Sequence, residues 1–140
     1  MFKHSIVAAA ALAAGLMSSA AFADGHSGGD AEKGKKVFNK CKSCHMVGEG
    51  AKNKVGPVLT GIIGRQAGSY PDMRYGKSLV EAGEKGLVWT EEEMFAYLKD
   101  PKKYLRAYLD DKKARSKMAY KLRKEDDRRD VIAYLKTFAE

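Results

Sequence analysis

Cys41-Lys42-Ser43-Cys44-His45 is the stretch on which the fold and the chemistry turn. On a helical turn, residues i and i+3 share one face, so the two thiols stand side by side. Thiols so placed reach the two vinyl groups along one edge of a porphyrin and form thioethers with them. His45 then presents its imidazole to the iron from the same side. C-x-x-C-H is the attachment signature of c-type haem, and attachment consumes both thiols. Other readings of these residues ask for partners that the chain does not offer. A C-x-x-C redox pair needs no adjacent histidine and belongs with a βαβ pattern, which is missing here. Zinc needs two more ligands. Past residue 23 there is only one further histidine, His26, and no third cysteine.

The flanking sequence reads as helices and long loops. Before the motif, Asp30 stands as a helix N-cap, and Ala31, Val37, Phe38 and Cys41 recur at helical spacing. Lys33, Lys35, Lys36 and Lys40 cover the other faces. Gly34 inside this helix costs up to about 1 kcal/mol relative to Ala, which close approach by another helix would explain. After the motif, Gly48, Gly50, Gly56, Gly61, Gly64 and Gly68 with Pro57 mark a loop wrapped around something. Lys77 to Ala82 reads as a short helix stopped by Gly83. Thr90-Glu91-Glu92-Glu93 is a capping box that opens a helix running to about Lys99, with Met94, Phe95, Tyr97 and Leu98 apolar. Asp100-Pro101 ends it and starts the next, whose stripe is Tyr104, Leu105, Tyr108 and Leu109. Glu125, Asp126 and Asp127 favour the start of a last helix, with Val131, Ile132, Tyr134, Leu135 and Phe138 on its buried side. The expected fold is all-α, with long loops that need an internal filler.

Composition sets the outer bounds. The 140 residues suit one domain, and 26 Lys+Arg against 18 Asp+Glu give a formal net charge of +8. That sign points to acidic partners. Two cysteines exclude a disulfide-rich scaffold and a four-cysteine zinc ribbon. Met1 to Ala23 reads as a signal peptide: Lys3 and His4, an apolar stretch from Ile6 to Met17, then Ala21-Phe22-Ala23 as the cleavage site. The apolar stretch is shorter than the roughly 20 residues of a membrane span. Cleavage leaves one domain from Asp24 to Glu140, exported to a bacterial periplasm, with no stable membrane insertion. The basic run Lys112 to Lys124 holds seven Lys/Arg in 13 residues, but export and the lack of a recognition motif argue against nucleic acid.

A second axial ligand has several candidates: His26, Met46, Met73, Met94 and Met118. His26 falls in a polar leader, and Met46 adjoins His45 and cannot reach the opposite haem face. Met94 sits on an apolar helical face, as core residues do. Met73 lies in a loop and stays open. Met118, in Ser116-Lys117-Met118-Ala119-Tyr120, lies between helices and far along the chain from His45, which suits a strap closing over the second face. His/Met ligation raises the potential and suits electron transfer.

The ordered set of motifs resembles the class I cytochromes c, and within them the cytochrome c2 group of bacteria. It includes Gly34, Phe38, the C-x-x-C-H motif, Val55-Gly56-Pro57 and Gly61-Ile62-Ile63-Gly64-Arg65. It continues through Trp89-Thr90-Glu91-Glu92, Tyr97-Leu98, Asp100-Pro101-Lys102-Lys103-Tyr104, Lys117-Met118 and Val131-Ile132-Ala133-Tyr134-Leu135. The resemblance implies one haem c bound through Cys41 and Cys44, with His45 and Met118 as iron ligands. It implies that the Pro57 carbonyl holds the other ring nitrogen of His45. Arg65, Tyr75 and Trp89 would neighbour a buried haem propionate, Tyr97 would sit near the Met118 sulfur, and Gly34 would pack against Tyr134. Leu105 to Arg115 lengthens the chain relative to short members, and Ser116 stands where a threonine is usual.

The function this implies is a monomeric one-electron shuttle rather than an enzyme. Its partners would be acidic docking surfaces on quinol–cytochrome c reductase and on a photosynthetic reaction centre or terminal oxidase. Lys40, Lys42, Lys102, Lys103, Lys112, Lys113 and Lys117 are candidates for a basic ring around the exposed haem edge. The competing reading is a peroxidase-like haem enzyme or the electron-entry partner of a periplasmic dehydrogenase. It would need an open iron site or a distal catalytic residue, and the sequence supplies Met118 instead.

Overall fold

The computed structural model describes residues 28–139. The proposed signal segment and His26 lie outside the described residues. Helix α1 spans Ala31–Phe38 and begins as the sequence predicts. The Asp30 carboxylate accepts the backbone N–H groups of Glu32 and Lys33 at 2.9 and 3.2 Å. These are donors that a helix start leaves without partners. The helix ends sooner than spacing through Cys41 suggests. After Phe38 the amides of Asn39, Lys40 and Cys41 each donate three residues back, so the chain tightens into successive turns.

Helix α5, Glu125–Lys136, crosses α1 at Gly34. A Cβ there would lie 1.9 Å from the Asp130 carbonyl oxygen and 2.8 Å from the Tyr134 Cβ. The glycine is therefore the condition for the crossing. The Asp30 amide also donates to Asp130 Oδ1 at 2.8 Å, and the Phe38 and Tyr134 rings pack with centroids 5.5 Å apart.

Helix α2, Lys77–Glu84, runs past the stop expected at Gly83. Gly83 is buried within the helix, where a Cβ would meet the Ala67 carbonyl oxygen at 1.9 Å. Its role is close approach of the loop, and the chain turns instead at Gly86, with φ +105°. Ala67 in turn donates its amide to the Leu87 carbonyl at 2.9 Å. An isolated antiparallel bridge between Gln66 and Val88 joins the same two stretches.

Helices α3, Glu91–Lys99, and α4, Pro101–Tyr108, meet at Asp100. Asp100 caps α4 by accepting the Lys103 amide at 3.0 Å, with Pro101 in the first turn. Half of the expected capping box forms. The Thr90 hydroxyl accepts the Glu93 amide at 3.1 Å, but the Glu93 carboxylate takes the Tyr104 hydroxyl instead of reaching back to Thr90.

Phe38, Leu87, Leu105, Val131 and Ile132 are fully buried. Each such side chain contributes roughly 1.5–3 kcal/mol by leaving water. The stretch from Leu105 to Arg115 packs into this core. Leu105, Leu109 and Ala114 are buried, Arg106 Nε donates to the Ala114 carbonyl at 3.1 Å, and the Arg115 amide donates to Ser78 Oγ at 3.0 Å.

Candidate functional site

The attachment turn is built by two backbone hydrogen bonds. The Cys44 and His45 amides both converge on the Cys41 carbonyl, at 3.1 and 2.9 Å. Lys54 Nζ reinforces the turn by donating to the Lys42 carbonyl at 2.7 Å. Cys41 and Cys44 are half-buried and not joined to each other. Burial pushes the Cys41 thiol up to about 11, partly offset by Lys40. A redox pair works with a depressed thiol pKa, so this environment speaks against that reading.

His45 is held from two directions. Its Nδ1 lies 2.9 Å from the Pro57 carbonyl oxygen. A carbonyl only accepts, so Nδ1 carries the proton and Nε2 keeps its lone pair free for a metal. Burial holds the imidazole pKa below its usual value, which favours this neutral form. Gly56 lies against the ring: a Cβ there would stand 2.3 Å from His45 Cε1. Asn53 fixes the same loop, accepting the Val58 amide at 3.1 Å and donating to the Pro71 carbonyl at 2.9 Å.

A cavity of about 360 Å³ opens beside this turn. Its wall includes Cys41, Cys44, His45, Pro57, Arg65, Tyr75, Trp89, Tyr97 and Met118, the residues that the family resemblance proposes around a haem. Aliphatic side chains such as Leu59, Ile62, Leu79, Leu98 and Leu135 complete it. A predominantly aliphatic and aromatic wall, with attachment thiols and an imidazole at one side, fits a covalently held haem.

The individual placements differ in detail. Arg65 donates to the carbonyls of Val58, at 2.7 Å, and Thr60, and its guanidinium lies 4.5 Å from the centroid of the Tyr70 ring. The Tyr75 hydroxyl accepts the Tyr70 amide at 3.0 Å, which ties it to the same loop. Trp89 and Tyr97 are buried, with ring centroids 4.7 Å apart. Tyr97 reaches Met118 through Ser116. The Ser116 hydroxyl donates to the Met118 carbonyl at 2.9 Å and is hydrogen-bonded to Tyr97, whose pKa burial raises. Met73 and Met94 also border the cavity, whereas Met46 is an exposed residue outside its lining.

Of the seven candidate docking lysines, Lys40 and Lys117 border the cavity. Lys40 pairs with Asp127 at 3.4 Å, and Lys117 Nζ donates to the Arg74 carbonyl at 2.6 Å. Arg74 and Arg115 border it too, and the sequence reading did not include them. Asn53 and Lys54 are absent from that reading too, and Gly56 enters it only as a loop glycine and as part of the Val55-Gly56-Pro57 motif.

Residues 31–139 match the family model for cytochrome c. Cytochrome c2 iso-1 of Rhodospirillum centenum is 50% identical over 117 residues, covering 79% of this chain and 98% of that protein. Cytochrome c2 of Rhodobacter capsulatus is 47% identical, with 91% and 92% covered. A solved structure of cytochrome c2 from Rhodospirillum centenum superposes with a TM-score of 0.77 at 49% identity, covering 80% of this chain and all of that one. No helix among the described residues is long and apolar enough to cross a membrane. The chain thus belongs to the cytochrome c family, in its cytochrome c2 group, as an electron carrier rather than an enzyme, with haem c bound covalently through Cys41 and Cys44.

Proposed function

We propose that this chain is a soluble periplasmic one-electron shuttle, with His45 and Met118 as the axial ligands of its haem iron. The observation that carries the reading is the meeting of Met118 and the Pro57-tethered imidazole of His45 on one cavity with both attachment cysteines. Bound haem supplies one-electron cycling between ferric and ferrous iron. The residues around it do the rest. Pro57 fixes the imidazole tautomer and raises its basicity. Arg65, Tyr75 and Trp89 offer a cation and hydrogen-bonding groups for a buried propionate. Tyr97 and Ser116 fix the strap that carries Met118. The apolar wall keeps water from the iron, so little reorganises when its charge changes.

The proposed route runs from quinol–cytochrome c reductase to a photosynthetic reaction centre or terminal oxidase, in the compartment that the Met1 to Ala23 segment addresses. Lys40, Lys117, Arg74 and Arg115 at the cavity border suit acidic docking faces. Complementary charge there raises the encounter rate and is screened by salt.

Visible spectroscopy of the ferric holoprotein tests the ligand set. The wild type is expected to be low-spin with a sulfur-to-iron band, lost in Met118→Leu and kept in Met73→Leu and Met94→Leu. A high-spin wild type would favour the peroxidase-like reading. Reduction and oxidation kinetics with candidate partner membranes across ionic strength test the docking: rates independent of salt would sink it.

A further inference from the structure

The haem site uses one of the two histidines past residue 23, and His26 is left without a task. It stands third in Asp24-Gly25-His26, the run that follows the proposed cleavage site Ala21-Phe22-Ala23. Cleavage there frees the α-amine of Asp24 and makes His26 the third residue of the mature chain. Position decides what such a histidine can do. The amine, the backbone nitrogens of Gly25 and His26, and the imidazole Nδ1 follow one another along the chain, each joined to the next by a short bridge. Closed on one metal ion, they form three fused chelate rings in a plane. Both middle donors need a backbone proton to give up, which proline lacks and Gly25 and His26 carry.

The described residues fix where this run is anchored. A Cβ on Gly29 would lie 2.0 Å from the Arg129 carbonyl oxygen, and the Asp30 amide donates to Asp130 Oδ1 at 2.8 Å. One residue earlier the packing ends: Gly28 is exposed, and a Cβ on it would meet nothing within 4 Å. The chain therefore leaves the α1–α5 crossing at Gly28, and Asp24 to Ser27 lie outside the described residues. Gly28, Gly29 and Asp30 are not among the residues that line the haem cavity, so the anchor is separate from the haem site. Among the described residues, no group of three or more His, Cys, Asp or Glu side chains is placed to hold a metal ion.

We propose that the mature chain carries a copper site at its amino terminus, where the Asp24 amine, the Gly25 and His26 backbone nitrogens and His26 Nδ1 hold one Cu(II) ion in a square plane. Square-planar nitrogen sets select Cu(II) or Ni(II), and the affinity order of the divalent metals puts copper first. Binding exchanges protons for metal: each of the two amides releases one, and the ammonium group releases one. No electron moves. Two amide anions in the plane favour the divalent ion, whereas Cu(I) goes to thiolate and thioether sulfur. The site therefore sequesters cupric ion and stays outside the electron cycle of the haem. The inference rests on the proposed cleavage after Ala23 and not on the iron ligands.

The ferric holoprotein, exported with its own leader, is weighed intact to read its amino terminus. It is then titrated calorimetrically with Cu(II) against excess free glycine, which removes loosely held copper. The wild type is expected to begin at Asp24, to bind one Cu(II) per chain, and to give an electron paramagnetic resonance signal of copper split by nitrogen nuclei. His26→Ala, and separately a glycine inserted between Gly25 and His26, should each weaken binding about a hundredfold or more, beyond the cost of losing a group that only supports a ligand. The insertion keeps every donor, so its loss reports spacing alone. The ferric absorption spectrum should be the same in all three proteins. Unchanged affinity in either variant, or no copper bound by a wild type that begins at Asp24, would overturn the copper site. A mass that places the amino terminus elsewhere would overturn it through the cleavage reading, and the weighing alone tells the two failures apart.

Discussion

The carbonyl oxygen of Asp130 lies 1.9 Å from the point where a side chain on Gly34 would begin. One backbone group of α5 therefore occupies the space that other residues would use for Cβ on α1. Replacing Gly34 by Ala cannot be relieved by a rotamer change, because the obstacle is main chain. Gly34→Ala is expected to lower the unfolding free energy of the holoprotein by about 3 kcal/mol, at the upper end for overpacking. Denaturant titration followed by far-UV dichroism measures it.

Much of this helix pair was legible beforehand. A glycine amid a helical pattern lowers helix stability, so it signals a packing reason, and Phe38 and Tyr134 lie at the matching positions. Gly83 carried the same signal yet was read as a stop. A glycine near a helix end supports both readings, and only the distant Ala67 carbonyl decides between them. Glu93 shows the same limit. Its position three residues after Thr90 announces a capping box, but Tyr104, one helix later, competes for its carboxylate. The nine residues that the family resemblance proposes nevertheless line one cavity, because an ordered set of motifs along the whole chain constrains the reading more tightly than local propensity does.

Gly56 is the counterpart at the imidazole proposed to bind iron. A methyl group there would stand 2.3 Å from His45 Cε1 and 2.7 Å from Nδ1. Gly56→Ala should turn the imidazole away from the Pro57 carbonyl and weaken its bond to iron. The expected result is a smaller low-spin fraction in the ferric absorption spectrum, together with a lower yield of holoprotein. An unchanged spectrum would show that the loop yields instead.

The hydroxyl chain from Tyr97 through Ser116 to Met118 makes a prediction about pairs. Ser116→Ala leaves the Tyr97 hydroxyl buried without its partner, which costs about 1–3 kcal/mol. Removing both hydroxyls, in Tyr97→Phe with Ser116→Ala, should restore part of that loss, since no orphaned group remains. Thermal unfolding of the wild type, both single variants and the double variant gives the coupling directly.

Asp100 provides a pH signature. Its carboxylate accepts the Lys103 amide and pairs with Lys121 at 3.0 Å, and these hold its pKa below 3.8. A depressed folded-state pKa adds stability that is complete above the unfolded-state value and is lost as pH falls through the folded one. Asp100→Asn keeps a cap but removes the charge. It should be less stable than wild type at pH 7, and the difference should close as pH drops below the carboxyl's depressed pKa. Added salt should narrow the same gap at pH 7. Melting temperatures across pH and salt check both.

The strap between Arg115 and Leu122 is fastened at both ends. The Arg115 amide holds Ser78 at 3.0 Å, and the Leu122 amide holds the Leu98 carbonyl at 2.8 Å. Arg128 adds a buried clamp, donating to the carbonyls of Leu122 and Arg123 at 2.9 and 2.7 Å. In the proposed ligand set, a methionine on so short a span is never diluted into the solvent when it lets go of its metal. It faces the vacated position at an effective concentration of about millimolar or higher, as short tethers do. Small molecules in the surrounding medium must outcompete a sulfur that always comes back first, so selectivity at this site is a matter of leash length as much as of bond strength.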